Sequence, residues 1–295
     1  MRETLKQSKA QRIIFGEFYR DLKFSDLDFG IFFSVIFLSL IGIVMVASVT
    51  IPLTDGSLSM AFNHIFKLVL AVFVGLIVFR FSLEIWKSID IGLILFSFFL
   101  LTLVFIPFIG HEANGASRWI RLFGFSFQPS ELMKFSLIVY ISSYCYRRMT
   151  EFKEKWIGFW KPVLVVVLAI ALVLLEPDLG SSAVIFLISL TIMFIAGAPL
   201  KQMSIILFMG SMVFVSMIIL VPWRMQRILS FVDPWSAYGE SGYQLSQALI
   251  AFSRGDLFGV GLGESLQKYH YLPDAQTDFI FAIIAEELGL IFFLT

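Results

Sequence analysis

Four short segments place ionisable residues at or just inside the ends of long apolar runs, where such groups persist only for chemistry, transport or pairing. The most informative is GVGLGESLQKYHYLPDAQTDFIFAIIAEEL, residues 259–288, in which a polar stretch runs directly into an apolar helix. Asp274, Thr277 and Asp278 precede that helix, and either Thr277 or Asp278 would serve as its N-cap. An aspartate there also suits the positive end of the helix dipole. Glu286 and Glu287 lie deeper, so at least one of them must face the protein interior with a partner.

The second segment is NGASRWIRLFGFSFQPSELMK, residues 114–134. Pro129 begins a helix, Ser130 or Gln128 can cap it, and Glu131 suits its first turn. Glu131 and Lys134, three residues apart, share a face and can pair. That pair either stabilises helix entry or lets Lys134 receive an anionic ligand, with Arg118 and Arg121 adding charge suited to phosphate. The third segment, EPDLGSS over 176–182, breaks the chain at proline and glycine. Asp178 there is either a cap or a partner for Lys134 or another cation. In the fourth, Arg224 and Arg227 follow Pro222-Trp223, as headgroup anchors or as a clamp for a lipid pyrophosphate.

The elements that must position these groups follow from composition. Of 295 residues, 58% are hydrophobic and 34 are Phe, more apolar surface than a soluble domain of this size can bury. The fold class is therefore an all-α polytopic membrane protein. Apolar runs near 29–48, 65–81, 89–108, 130–146, 162–175, 180–197, 203–222 and 279–295 give eight transmembrane helices. Lys and Arg concentrate in the amino-terminal tail (Arg2, Lys6, Lys9, Arg12, Arg20, Lys23) and in alternate connections, above all at Arg147, Arg148, Lys153, Lys155 and Lys161. By the positive-inside rule the tail, residues 1–28, is cytoplasmic. Residues 29–295 then form one transmembrane domain, with 223–278 a long loop outside the membrane.

That loop is too long and too aromatic to be filler. Within it, YQLSQALIAF over 243–252 puts Leu245, Ala248, Leu249 and Phe252 on one helical face, an interfacial or re-entrant helix. The chain stops inside its eighth apolar run, as a truncated protein lacking later helices would. Arg118, Glu131, Lys134, Asp178, Arg224, Arg227 and Asp278 all fall on the outer side, which suits an anionic lipid-linked substrate. No Walker, GxSxG or HExxH motif and no Cys/His metal spacing occurs. Cys145 is the single cysteine, which excludes an intrachain disulfide. Zero net charge gives no sign of a nucleic-acid partner.

The blocks NGASRWI, QPSELMK, EPDLGSS, FVDPW, GYQLSQALIAF and GVGLGESLQKYHYLPDAQTDFIFAIIAEELG resemble, in order, the shape, elongation, division and sporulation (SEDS) family. The run LGESLQKYHYLP is more similar to its division branch than to its elongation branch. The resemblance implies ten membrane helices in the full protein, two of them missing here. It implies a peptidoglycan glycosyltransferase that polymerises lipid II, the undecaprenyl-pyrophosphate disaccharide-pentapeptide, at the outer face of the cytoplasmic membrane at the division septum. A class B penicillin-binding protein transpeptidase and other division proteins would be its partners. Carried over by motif, Asp278 is the essential carboxylate, and Arg118, Glu131, Lys134 and Asp178 belong to the site. Gln276 stands where the family usually has His, and Asp274 where Glu is usual; an amide cannot change protonation.

Chemically, an acceptor 4-hydroxyl must attack an anomeric carbon bearing pyrophosphate. The leaving group is already a stabilised anion, so one base plus cationic donors suffices. Asp278 would be the base, with Arg118, Lys134, Arg224 and Arg227 on the donor phosphates, with or without a divalent cation (Mg or Mn). Glu131 would orient Lys134, and Asp178 would position that pair or the acceptor. Two rivals remain: a lipid II flippase, and a noncatalytic division scaffold acting through the tail and residues 147–161.

Overall fold

The structure, a computed structural model, describes residues 28–53, 57–106, 110–113, 116–122, 125–239 and 241–293. The basic residues of the expected cytoplasmic tail lie outside the described residues. Among the described residues two compact units are present: one is Phe81–Met217, the other joins residues 28–80 to residues 218–293.

The first unit holds α3 (Leu83–Leu103), a small sheet, α4 (Pro129–Arg147), α5 (Met149–Glu154), α6 (Trp156–Leu175), α7 (Leu179–Ile195) and α8 (Leu200–Ile219), whose last residues pass into the second unit. Its core stacks Met133, Leu137 and Ile141 of α4 against Leu101, Phe159, Ala169 and Ile185. Polar stitching accompanies it: the Ser97 and Ser136 hydroxyls are 2.6 Å apart across α3 and α4. Arg147 of α4 closes on the buried Asp90 of α3 and also donates to the Lys87 carbonyl.

The second unit comprises α1 (Phe29–Leu53), α2 (Ser59–Arg80), α9 (Pro222–Val232), α10 (Tyr243–Gly255), α11 (Ile280–Leu288) and a short 3-10 turn, Ile291–Phe293. Small residues bring α10 and α11 into backbone contact. Ala248, Ala251 and Gly255 face Ala282 and Ala285, and a Cβ on Gly255 would stand 2.1 Å from the Ala285 carbonyl oxygen.

Among the described residues five helices are long and apolar enough to cross a membrane: α1, α2, α3, α6 and α8. None of the apolar window of α2 or α8 is buried (0% for each), which suits hydrocarbon rather than water. Among the described residues α7 is shorter, at 17 residues, and α4 is too polar to count by composition because it carries Glu131, Lys134 and several serines.

Three expectations need correction. The protein is not purely helical: β1 (Gly110–Ala113), β2 (Ala116–Leu122) and β3 (Phe125–Phe127) form an antiparallel sheet ordered β1-β2-β3. Ile120 pairs with Gly110 on one side and Phe127 on the other, and is buried. Aromatic and β-branched residues at Trp119, Ile120 and Phe127 favour that pairing. Secondly, the apolar run 279–295 does not continue as one spanning helix. Gly289 at φ +75° ends α11 and presses on the 257–259 backbone, while the Leu290 and Ile291 amides donate to the Asp256 and Leu257 carbonyls. Thirdly, neither Thr277 nor Asp278 caps α11. The cap is Phe279, with no side-chain bond, because the Thr277 and Phe279 amides first turn back onto the Asp274 carbonyl.

Candidate active site

In the first unit the Glu176–Pro177–Asp178 turn joins α6 to α7 and is held from two sides. Asp178 caps α7 as the sequence suggests: one carboxylate oxygen accepts from the Ser181 amide at 2.9 Å, the other from the Ser181 hydroxyl at 2.8 Å. The second oxygen also accepts from the Gln128 amide at 3.2 Å. Gln128 immediately precedes Pro129, so one short contact ties the start of α4 to the start of α7. It does so instead of capping α4, whose N-cap makes no side-chain bond.

Arg118 reaches the same turn from β2. Its Nε donates to the Glu176 carbonyl at 3.1 Å and its Nη2 to the Pro177 carbonyl at 2.6 Å. Two of its donor positions are therefore occupied by backbone oxygens. Glu131 and Lys134 pair at 2.7 Å, with the lysine largely covered and the glutamate open. Arg121 is exposed. Glu176, which the sequence reading passed over, is 1% exposed. Burial, with the Asp178 charge adding to it and Arg118 opposing, pushes its carboxyl up to about 8.

An apolar cavity of about 600 Å³ opens between α6, α7 and α8, its wall starting at Leu179 and Ser182, directly after Asp178. Phe186, Gly210 and Phe214 line it further along.

In the second unit Asp278 is exposed, and Arg227 is exposed on α9. Arg224 lies against Trp223, guanidinium carbon 5.3 Å from the ring centre. Below Asp278 the two glutamates find the interior partners expected of them. Glu287 accepts from Ser48 of α1 at 2.9 Å and from Lys268 Nζ at 3.0 Å. Lys268 also donates to the Gly263 carbonyl at 2.6 Å and to Ser48 at 3.2 Å. Glu286 pairs with Arg254 at 2.7 Å and accepts from the Ser265 hydroxyl and the Leu266 amide. Lys268, Glu286 and Glu287 are all essentially buried.

The Lys268–Glu287 pair and the Ser265 and Leu266 bonds to Glu286 staple residues 256–279 to α11, while Arg254–Glu286 ties α10 to it. The segment needs such support, because Asp256, His270 and Asp274 all sit at positive φ, a strain of about 1–3 kcal/mol each. The Val260 and Gly261 amides complete the staple by donating to the Glu286 and Glu287 carbonyls. Sequence reading found the acids but missed Lys268, Arg254 and Ser265 as their partners. The signal was an acidic pair in an apolar helix, preceded by an arginine at the end of one helix and a lysine in the glycine-rich loop after it.

A divalent cation finds no ready donor set: among the described residues no three His, Cys, Asp or Glu side chains gather to hold a metal. Asp178 has both oxygens occupied by Ser181 and Gln128. No step is therefore routed through a metal.

Residues 29–295 match the sequence model of the FtsW/RodA/SpoVE cell cycle proteins. A probable peptidoglycan glycosyltransferase FtsW of Saccharophagus degradans is 43% identical over 272 residues, covering 91% of this chain and 70% of that protein. One from Coxiella burnetii is 42% identical over 255 residues, covering 85% and 68%. In a third, from Aliivibrio salmonicida, the match covers 64% of the relative's length. Among solved structures, a chain of a peptidoglycan synthase complex that coordinates polymerization and crosslinking aligns with TM-score 0.69 at 24% identity, covering 90% of this chain and 73% of that one. The rod shape determining protein RodA of Thermus thermophilus, in a mutant form, aligns at 0.60 and 21% identity, covering 90% and 69%. At these identities the structural likeness carries the fold alone. The curated relatives carry more: the chain belongs to the FtsW/RodA/SpoVE family of cell cycle proteins.

Proposed function

We propose that this chain is a peptidoglycan glycosyltransferase that polymerises lipid II at the outer face of the cytoplasmic membrane, with Asp278 as general base. The observation that carries the reading is Asp278 itself. It is an exposed carboxylate at the end of a strained segment that the buried Lys268–Glu287 pair and the bonds to Glu286 hold in place. A carboxylate kept ready and a segment kept rigid are what proton abstraction from a sugar hydroxyl requires.

In the reaction Asp278 takes the proton of the acceptor 4-hydroxyl as that oxygen bonds to the anomeric carbon. The bond from that carbon to the donor's pyrophosphate oxygen breaks, and the diphosphate leaves with the electron pair. From their sequence motifs alone, Lys134, Arg224 and Arg227 are assigned to the departing charge, where cations act most strongly on a developing anion. Arg118 holds the turn that carries Asp178, and Glu131 orients Lys134 through their 2.7 Å contact. The apolar cavity beside Leu179 and Ser182 offers a berth for a polyprenyl chain next to a polar turn. Division-septum synthesis, a class B penicillin-binding protein as partner and a cytoplasmic amino terminus complete the proposal; in support stand, in turn, the cell cycle family match, the similar fold of a synthase complex that coordinates polymerization and crosslinking, and the Lys/Arg distribution.

The experiment is lipid II polymerisation by purified protein with its transpeptidase partner, wild type against Asp278→Asn. The amide keeps size and hydrogen bonding but cannot accept the proton, so glycan chains should be lost while folding is kept. Wild-type rate in the variant would remove Asp278 from the mechanism. Absence of glycan from the wild type, with lipid II crossing the bilayer, would favour a flippase.

A further inference from the structure

We propose that Glu176 works as a neutral carboxylic acid, a positioning residue whose uncharged state keeps the Glu176–Pro177–Asp178 turn in the grip of Arg118. The side chain is 1% exposed, and neither carboxyl oxygen has a hydrogen-bond partner. A buried carboxylate without donors costs far more than a buried carboxylic acid, so the group keeps its proton instead of its charge.

The surrounding bonds are arranged for that neutral state. The nearest cation, Arg118 of β2, approaches through the backbone carbonyls of Glu176 and Pro177 and not through the Glu176 carboxyl. The Gln128 and Ser181 donors are committed to Asp178, two residues away. Asp178 and Arg118 are the charged groups that act on Glu176: the first repels a second carboxylate, the second would favour it. Ionised, Glu176 would compete with its own carbonyl for the guanidinium while Asp178 pushed it away. Either motion loosens the turn from which α7 starts and at which the cavity wall begins.

The sign of the pH dependence follows from linkage. An unfolded glutamate ionises near its ordinary value of 4.5, whereas this one holds its proton up to about 8. The stability it lends is fully present below the lower value and is lost as pH rises through the upper one. The folding equilibrium should therefore weaken by about tenfold per pH unit across that window.

Thermal unfolding of the purified protein from pH 5 to 9, wild type against Glu176→Gln, tests this. The wild type should lose stability as pH rises. The variant, which keeps shape and neutrality, should lose that slope and be at least as stable at pH 8. Infrared spectra at pH 7 should show a protonated-acid carbonyl band in the wild type that is missing from the variant. A variant that fails to fold, is less stable at every pH, or keeps the wild-type slope would overturn the proposal, as would the absence of the acid band. A second arm rests on the polymerase reading: the wild-type alkaline loss of glycan synthesis near pH 8 should be relieved in Glu176→Gln. If the wild type makes no glycan, that reading fails while the stability and infrared arms still decide the role of Glu176.

Discussion

Removing Lys268 should do more damage than removing both members of its ion pair. In Lys268→Met the buried Glu287 keeps only the Ser48 hydroxyl, and the Gly263 carbonyl loses its 2.6 Å donor. Leaving one charge of a buried pair uncompensated costs about 3–5 kcal/mol. The lost hydrogen bonds to a charged group, at about 1.5–3 kcal/mol each, give the same order. In the double variant Lys268→Met/Glu287→Leu no charge remains to be desolvated, and Ser48 and Gly263 are left as smaller debts. Most of the loss should return, and coupling across the cycle should exceed about 2 kcal/mol. Thermal or denaturant unfolding of purified protein in detergent measures all four corners. Independent, additive losses, or a Lys268→Met protein as stable as the wild type, would refute the claim that these charges compensate each other in the interior.

Gly255→Ala must part α10 from α11, since its Cβ would lie 2.1 Å from a backbone oxygen that no rotamer change can move; unfolding measurements should show a loss of about 1–3 kcal/mol or more. Gly210→Ala would set a methyl 2.2 Å from the Phe186 ring, which must swing within the apolar cavity; if a polyprenyl chain lies there, the KM for lipid II should change before folding stability does. Glu151 should show acid-sensitive stability. Hydrogen bonds from Lys161 and then Arg148 hold its carboxyl down to about 2, so its contribution is present above the ordinary value of 4.5 and lost as pH falls through 2. The difference in melting temperature between wild type and Glu151→Gln should therefore close as pH falls from 6 to 2.

Much of this was legible because some residues have few tolerable environments. At least one of Glu286 and Glu287 in an apolar run had to find a partner, and both do. Asp178 before Leu-Gly-Ser-Ser read as a cap because its side chain reaches an amide three residues on, a local bond. The helix at Tyr243–Gly255 followed from its apolar face. What stayed hidden depended on distant chain. Lys268 has an ordinary loop context, and only closure of residues 256–279 onto α11 puts it beside Glu287. The end of α11 is set by Gly289 meeting the 257–259 backbone, a contact that hydropathy does not encode. The three strands are too short for period-two alternation to show. Glu176 looked like part of a turn because burial, not residue type, makes it unusual.

The Ser48–Glu287 contact joins residues 239 positions apart, and the unit it closes is split around the other. A ribosome-bound chain therefore emits Ser48 long before its carboxylate partner exists. The whole of Phe81–Met217 can gain its own core in the meantime, so the Ser48–Glu287 closure has to wait for chain made after that unit. Substitutions at Ser48, Lys268 or Glu287 would thus strike the closure of the split unit, leaving the core of Phe81–Met217 in order.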